Sequence, residues 1–185
     1  MLPVRLFRLR KQGMIILANL KEKPTFIWLL RHPVCFLAFG FGSGLAPKIP
    51  GTVGTLVALP LAFLFYLTGL SSWVLALLCI PLFVVGISIC AKSSDLLGVA
   101  DYGGIVWDEI VAMLLILSFV PLNWSAWLLA YILFRFFDML KPWPISYFDR
   151  TVHGGLGIML DDLIAVVPTL LVFYLSYSII WERFL

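Results

Sequence analysis

Long apolar runs alternate along the chain with short polar segments that carry most of the charge. Val53 to Leu70 runs 18 residues without a charge and Trp73 to Ala91 runs 19, separated only by Ser71 and Ser72. Ile105 to Leu122 and Trp124 to Met139 form a second pair turning at Pro121–Trp124, and Leu163 to Trp181 is the last. At 1.5 Å per residue, an 18-residue helix reaches about 27 Å, close to a ~30 Å hydrocarbon core. The pattern predicts an all-α fold: a polytopic bundle of four to five membrane helices arranged as hairpins. Pro60, Pro81 and Pro168 fall inside these runs, which membrane helices tolerate better than soluble ones. Thr25 to Phe41, interrupted by Arg31, His32 and Pro33, reads as an interfacial helix.

Composition supports lipid as the solvent. The 185 residues are 62% hydrophobic and 12% charged, against about 25% charged in a soluble domain. One membrane-embedded domain over 25–185 accounts for the pattern, preceded by a basic cytoplasmic extension over 1–24. Seven of the 13 basic residues (Arg5, Arg8, Arg10, Lys11, Lys21, Lys23 and Arg31) lie near the N-terminus. No basic stripe runs through the rest, which argues against nucleic acid as a partner. The short apolar piece Met14 to Leu20 leads into Lys21-Glu22-Lys23-Pro24 rather than a small-residue cleavage site, so an uncleaved extension is expected. Cys35, Cys79 and Cys90 are far apart in apolar surroundings and read as packing residues.

Charge placement orients the bundle. With the N-terminus cytoplasmic, the loops on that side hold Lys48, Lys92, Lys141 and Arg150, and the opposite turns hold no charge, a positive-inside pattern. The acids sort the same way. Glu22, Asp95, Asp101 and Asp149 read as loop residues, while Asp108, Glu109, Asp138, Asp161 and Asp162 sit at helix ends. Five such acids at mid-membrane would cost roughly 12–17 kcal/mol on the insertion scale. Placing them at the cytoplasmic interface removes most of that cost and brings five carboxylates to one depth.

Four segments hold the candidate chemistry. GFGSGLAPKIPGTVGT (residues 40–55) combines five glycines with Ser43, Lys48, Thr52 and Thr55. It reads equally as an anion-binding loop at a helix start or as a turn-rich lead-in capped by Thr52. Asp108-Glu109 could serve the dipole of a first helical turn or ligate a cation. In FRFFDMLKPWPISYFDR (134–150), Arg135 and Asp138 share a helix face and can form an ion pair. Lys141 follows, and Asp149-Arg150 reads as a solvated turn. HGGLGIMLDD (153–162) delivers Asp161-Asp162 to the start of the last helix, with His153 in the glycine-rich turn before it. Clustered carboxylates without thiols or imidazoles suit Mg²⁺. With Lys48, Arg135 and Lys141 on the same face, they point to metal-assisted chemistry on a phosphate near the inner leaflet.

GFGSGLAPKIPGT, IVWDEIVAM, FRFFDMLKPWPISYFDR and VHGGLGIMLDDLIA, in this order between about Leu37 and Ile164, closely resemble the phosphatidylglycerophosphatase A family. Ala112 and Ala165 stand where many members have Gly. The resemblance implies a Mg²⁺-dependent lipid phosphatase of the bacterial inner membrane, acting on phosphatidylglycerophosphate in the inner leaflet. It implies that Asp108, Glu109, Asp138, Asp161 and Asp162 ligate Mg²⁺ or orient the attacking water. Ser43, Lys48, Thr52, Arg135 and Lys141 would hold the phosphate, and His153 would protonate the leaving glycerol oxygen. The alternative is a small ion-coupled transporter using interfacial carboxylates, which predicts charges at mid-helix. The motifs of CDP-alcohol transferases and of His-dependent lipid phosphatases are absent from the sequence. The oligomeric state is left open.

Overall fold

Proline and glycine set the helix boundaries. The computed structural model describes residues 24–184, with side chains to residue 177. The basic extension therefore lies outside the described residues, apart from Pro24. Among the described residues every regular element is helical: α1 (Phe26–Arg31), α2 (Pro33–Ala38), a 3-10 turn (Gly40–Leu45), α3 (Pro50–Tyr66), α4 (Ser72–Leu97), α5 (Trp107–Phe119), α6 (Trp124–Leu140), α7 (Ile145–Thr151) and α8 (Gly154–Phe184).

Two of these, α4 and α8, are long and apolar enough to cross a membrane. Only 28% of the apolar window of α4 is buried, so most of it faces outward with Leu77, Ile80, Val84 and Val85 exposed. An apolar surface that extensive needs a non-aqueous neighbour. Helix α3 is apolar but 17 residues long.

The central element is α5. It has 13 residues, or about 20 Å of helix, and is shorter than the run from Ile105 to Leu122 suggested. Nine of its residues are buried, because α3, α4 and α8 pack around it. A short buried helix leaves its last carbonyls far from water. Tyr66 of α3 donates to Leu117 O at 3.0 Å, and the Tyr174 hydroxyl of α8 donates to Phe119 O. Helix α6 packs on α8, and α7 lies across α8 as well.

Several boundaries differ from the pattern-based expectation. The stretch Thr25 to Phe41 is two short helices broken at His32, because Pro33 begins the second. Lys92 and Asp95 are helical residues in the last turns of α4, and Asp149 and Arg150 belong to α7. Thr52 is not a cap: Ile49 occupies that position and Pro50 starts α3, as its fixed φ favours. The last helix starts at Gly154, so Asp161 and Asp162 lie two turns inside it and cap nothing. Cys35, Cys79 and Cys90 are free and buried, as expected.

Candidate active site

Three helix segments deliver the acids. Helix α5 opens with Trp107, placing Asp108 and Glu109 in its first turn, where negative charge suits the helix dipole. Helix α6 ends at Lys141, which adopts a left-handed conformation and donates its N–H to Phe137 O at 2.8 Å. Pro142 follows, and the chain cannot continue as helix. Asp138 thus sits in a last turn, where the dipole disfavours it. Arg135, one turn earlier, compensates at 2.5 Å. Asp161 and Asp162 are buried on α8.

These elements converge. One oxygen each from Glu109, Asp138 and Asp162 lies within 4.8 Å of the others, a group able to hold a cation. Asp108 lies within electrostatic reach of Glu109 and Asp161, and Asp162 within reach of all four other acids. Asp108 Oδ1, Glu109 Oε2, Asp161 Oδ1 and Asp162 Oδ2 are buried with no hydrogen-bond partner among the described residues. Buried polar atoms are ordinarily satisfied. Four orphaned carboxylate oxygens in one cluster fit a set of hard-cation donors.

The cations expected for phosphate are distributed unevenly. Arg135 Nη1 contacts Glu109 Oε1 at 2.9 Å, Asp138 Oδ2 at 2.5 Å and Thr55 Oγ1 at 3.3 Å. Lys141 Nζ bridges Asp149 and Asp161 at 2.5 Å each. Burial works against the Lys141 ammonium, but Asp161 and Asp149 outweigh it and hold its pKa above the usual lysine value. The bridge is therefore intact across the neutral range and is lost only as pH rises beyond ordinary lysine titration. Lys48 is exposed and makes no ion pair with the described residues.

The glycine-rich segment serves close packing. A Cβ on Gly44 would lie 2.0 Å from Gly104 O, and one on Gly51 would lie 2.1 Å from Glu109 Oε1. Ser43 turns its hydroxyl inward, donating to Gly40 O at 2.8 Å. Thr52 contributes its carbonyl, which accepts from the Tyr131 hydroxyl at 2.9 Å. His153 is exposed, with Nδ1 3.2 Å from Thr151 O, and shares an open cleft with Asp101, Asp149 and Asp161.

Three contributors escaped the sequence reading. Thr55 holds Arg135 while donating to Gly51 O at 2.8 Å; its hydroxyl was visible, but not its direction. Asp149 looked like a solvated turn yet anchors Lys141, a pairing across two prolines that no periodicity reveals. Gly51 presses on Glu109 from α3. Gly51→Ala should therefore displace the Glu109 carboxylate and lower kcat about 10²-fold, the usual cost of ~1 Å misplacement. Unchanged kcat in purified, folded protein would remove Gly51 from the site.

A sequence model of the phosphatidylglycerophosphatase A family matches residues 36–177. The chain belongs to that family. The matched span contains the whole acid cluster and the glycine-rich segment that packs on it. Among relatives, the phosphatidylglycerophosphatase A of Escherichia coli K12 is 43% identical over 83% of this chain and 89% of its own length. That of Haemophilus influenzae is 43% identical over 80% and 91%. A Bacteroides thetaiotaomicron protein provisionally named as a phosphatidylinositol-3-phosphatase is 35% identical over 79% and 91%. No solved structure matches the chain.

Proposed function

We propose that the chain hydrolyses the terminal phosphate monoester of phosphatidylglycerophosphate, releasing phosphatidylglycerol and inorganic phosphate, the last step in making that lipid. Family membership supports the substrate class. The carrying observation is the Glu109–Asp138–Asp162 group, drawn from three helices, with orphaned oxygens beside it.

The donor set fits Mg²⁺, with Glu109, Asp138 and Asp162 as the residues that would hold it. Bound there, Mg²⁺ would supply Lewis acidity toward the phosphate and acidify a water. Asp108 and Asp161, each with an unpartnered buried oxygen, are the acids able to orient the attacking water and accept its proton. His153 faces the cleft shared with Asp161 and would give a proton to the leaving glycerol oxygen. Of Lys48, Arg135 and Lys141, Lys48 alone has no carboxylate partner among the described residues, and with the Ser43 and Thr52 segment it would meet the phosphate first. Arg135 and Lys141 act chiefly as internal counter-ions, keeping adjacent carboxylates from repelling one another apart. They reach a phosphate only with the donors those contacts leave.

In this reading the four to five helices that cross the bacterial inner membrane are drawn from α3, α4, α5, α6 and α8. Helices α1 and α2 lie at its surface and the acids face the cytoplasm, as the clustering of basic residues on that side supports. No observation favours the ion-coupled transporter.

Phosphate release by purified protein in detergent micelles is the test. Phosphatidylglycerophosphate should be cleaved with Mg²⁺ present and not after chelation, and phosphatidylinositol 3-phosphate should be cleaved far more slowly. Equal rates with and without the ion would sink the metal assignment, and a preference for the inositide would sink the substrate.

A further inference from the structure

Beneath the acid cluster, α4, α5 and α8 enclose a groove of about 250 Å³ bordered by Ala76, Ile80, Phe83, Val111, Leu115 and Leu163, among others. Its lining is aliphatic, aromatic or thiol, with no polar side chain. Its outer rim faces outward, with Ile80 61% and Val84 59% exposed. Nothing in the phosphatase chemistry uses it.

The groove is in register with the acids. At 100° per residue, Val111 and Leu115 lie within about 60° and 20° of the Asp108 direction on α5. Leu115 is seven residues beyond Asp108, or about 10 Å along the axis. On α8, Leu163 lines the groove one residue beyond Asp162 but about 100° round the helix from it. Trp107 Nε1 donates to Leu82 O at 3.2 Å, which sets the first turn of α5 level with the upper wall of the groove on α4. On α5 one face thus runs from Asp108 at the top to an apolar trough opening sideways.

We propose that this groove seats one acyl chain of the phosphorylated lipid while its headgroup phosphate lies at the acids. The assignment rests on the lipid-phosphatase reading and adds where the substrate's apolar part is held. An amphiphile whose phosphate meets Asp108 must send its chains toward the hydrocarbon, and on α5 the trough continues from that residue along the same helix face. Chain burial against Val111, Leu115 and Leu163 then orients the headgroup and favours acylated over water-soluble phosphate esters.

Ala76→Phe places a ring in the trough from its outer wall without touching the acids. Measured on dioleoyl phosphatidylglycerophosphate in mixed micelles, KM should rise about tenfold or more, as expected when two or three methylenes lose their contacts. On the deacylated headgroup, a water-soluble glycerophosphodiester phosphate, kcat/KM should be unchanged within about twofold of the unaltered protein, well under the ~1.4 kcal/mol of a tenfold change. Leu77→Phe on the neighbouring exposed face is the control and should move neither. Ile80→Trp at the rim reads the same ratio should Ala76→Phe fail to fold.

Equal losses on both substrates, or no change on either, would overturn the acyl seat. So would a changed particle mass in detergent with KM intact, which would give the groove to a second copy of the chain. If the unaltered protein releases phosphate from neither substrate, the phosphatase reading fails instead.

Discussion

Asp162→Asn is expected to abolish Mg²⁺-dependent phosphate release while making the metal-free protein more heat-stable. Asp162 is buried on α8, with Oδ2 unpartnered and four other carboxylates within electrostatic reach. No cation among the described residues forms an ion pair with it: Arg135 engages Glu109 and Asp138, and Lys141 engages Asp149 and Asp161. A buried charge held beside like charges is destabilising, and replacing it with a neutral isostere commonly recovers a few kcal/mol. For a chain of this size that corresponds to a Tm rise of roughly 3–10 °C. The same change removes one of three carboxylates positioned for a cation, at a cost on the order of 10²–10³ in rate. Paired assays of phosphate release and thermal unfolding in detergent test this, with Mg²⁺ titration as an independent readout. A Tm that falls, or activity that survives, would show that Asp162 is a structural residue. The opposed signs matter because a merely folding-related acid would lose both together.

Arg135→Met should give the largest loss of stability. One guanidinium nitrogen serves Glu109, Asp138 and Thr55, and its side chain is 12% exposed. Breaking a buried pair by deleting one partner typically costs about 3–5 kcal/mol, because the other charge remains uncompensated. Here two carboxylates are left, so Tm should fall by about 10 °C or more. Mg²⁺ should restore part of the loss, since a ligand that binds only the folded state stabilises it by mass action. Arg135→Lys keeps the charge but not the planar fork and should fall between Met and the native residue. If Arg135→Met melts where the unaltered protein does, Arg135 is free for phosphate and the counter-ion role is wrong.

Much of this site was visible from residue type and spacing. Glu109, Asp138 and Asp162 fell at the polar margins of apolar runs, where insertion cost alone excludes scattered burial. The i, i+3 spacing of Arg135 and Asp138 allowed the contact that the structure shows. Where each helix begins was less legible. Asp161 and Asp162 looked like a helix start because the apolar run begins at Leu163, yet helix forms from Gly154. Local polarity does not end a helix whose buried face is packed by neighbours, and Met159 and Gly155 fit closely against α4.

The chain's apolar runs, its proline stops at Pro33, Pro50 and Pro142, and the one-sided charge pattern determined an all-helical fold with acids gathered at one end. These follow from solvent preference and backbone sterics, which act residue by residue. Only tertiary packing decided which charges meet. From sequence Arg135 could serve phosphate or Asp138, and Lys141 pointed toward phosphate, but the choice depends on the directions of side chains from α3, α5, α7 and α8. Gly51 looked like a loop residue until the approach of Glu109 gave it a neighbour. Such contacts join positions tens of residues apart, and no local preference encodes the distance between them.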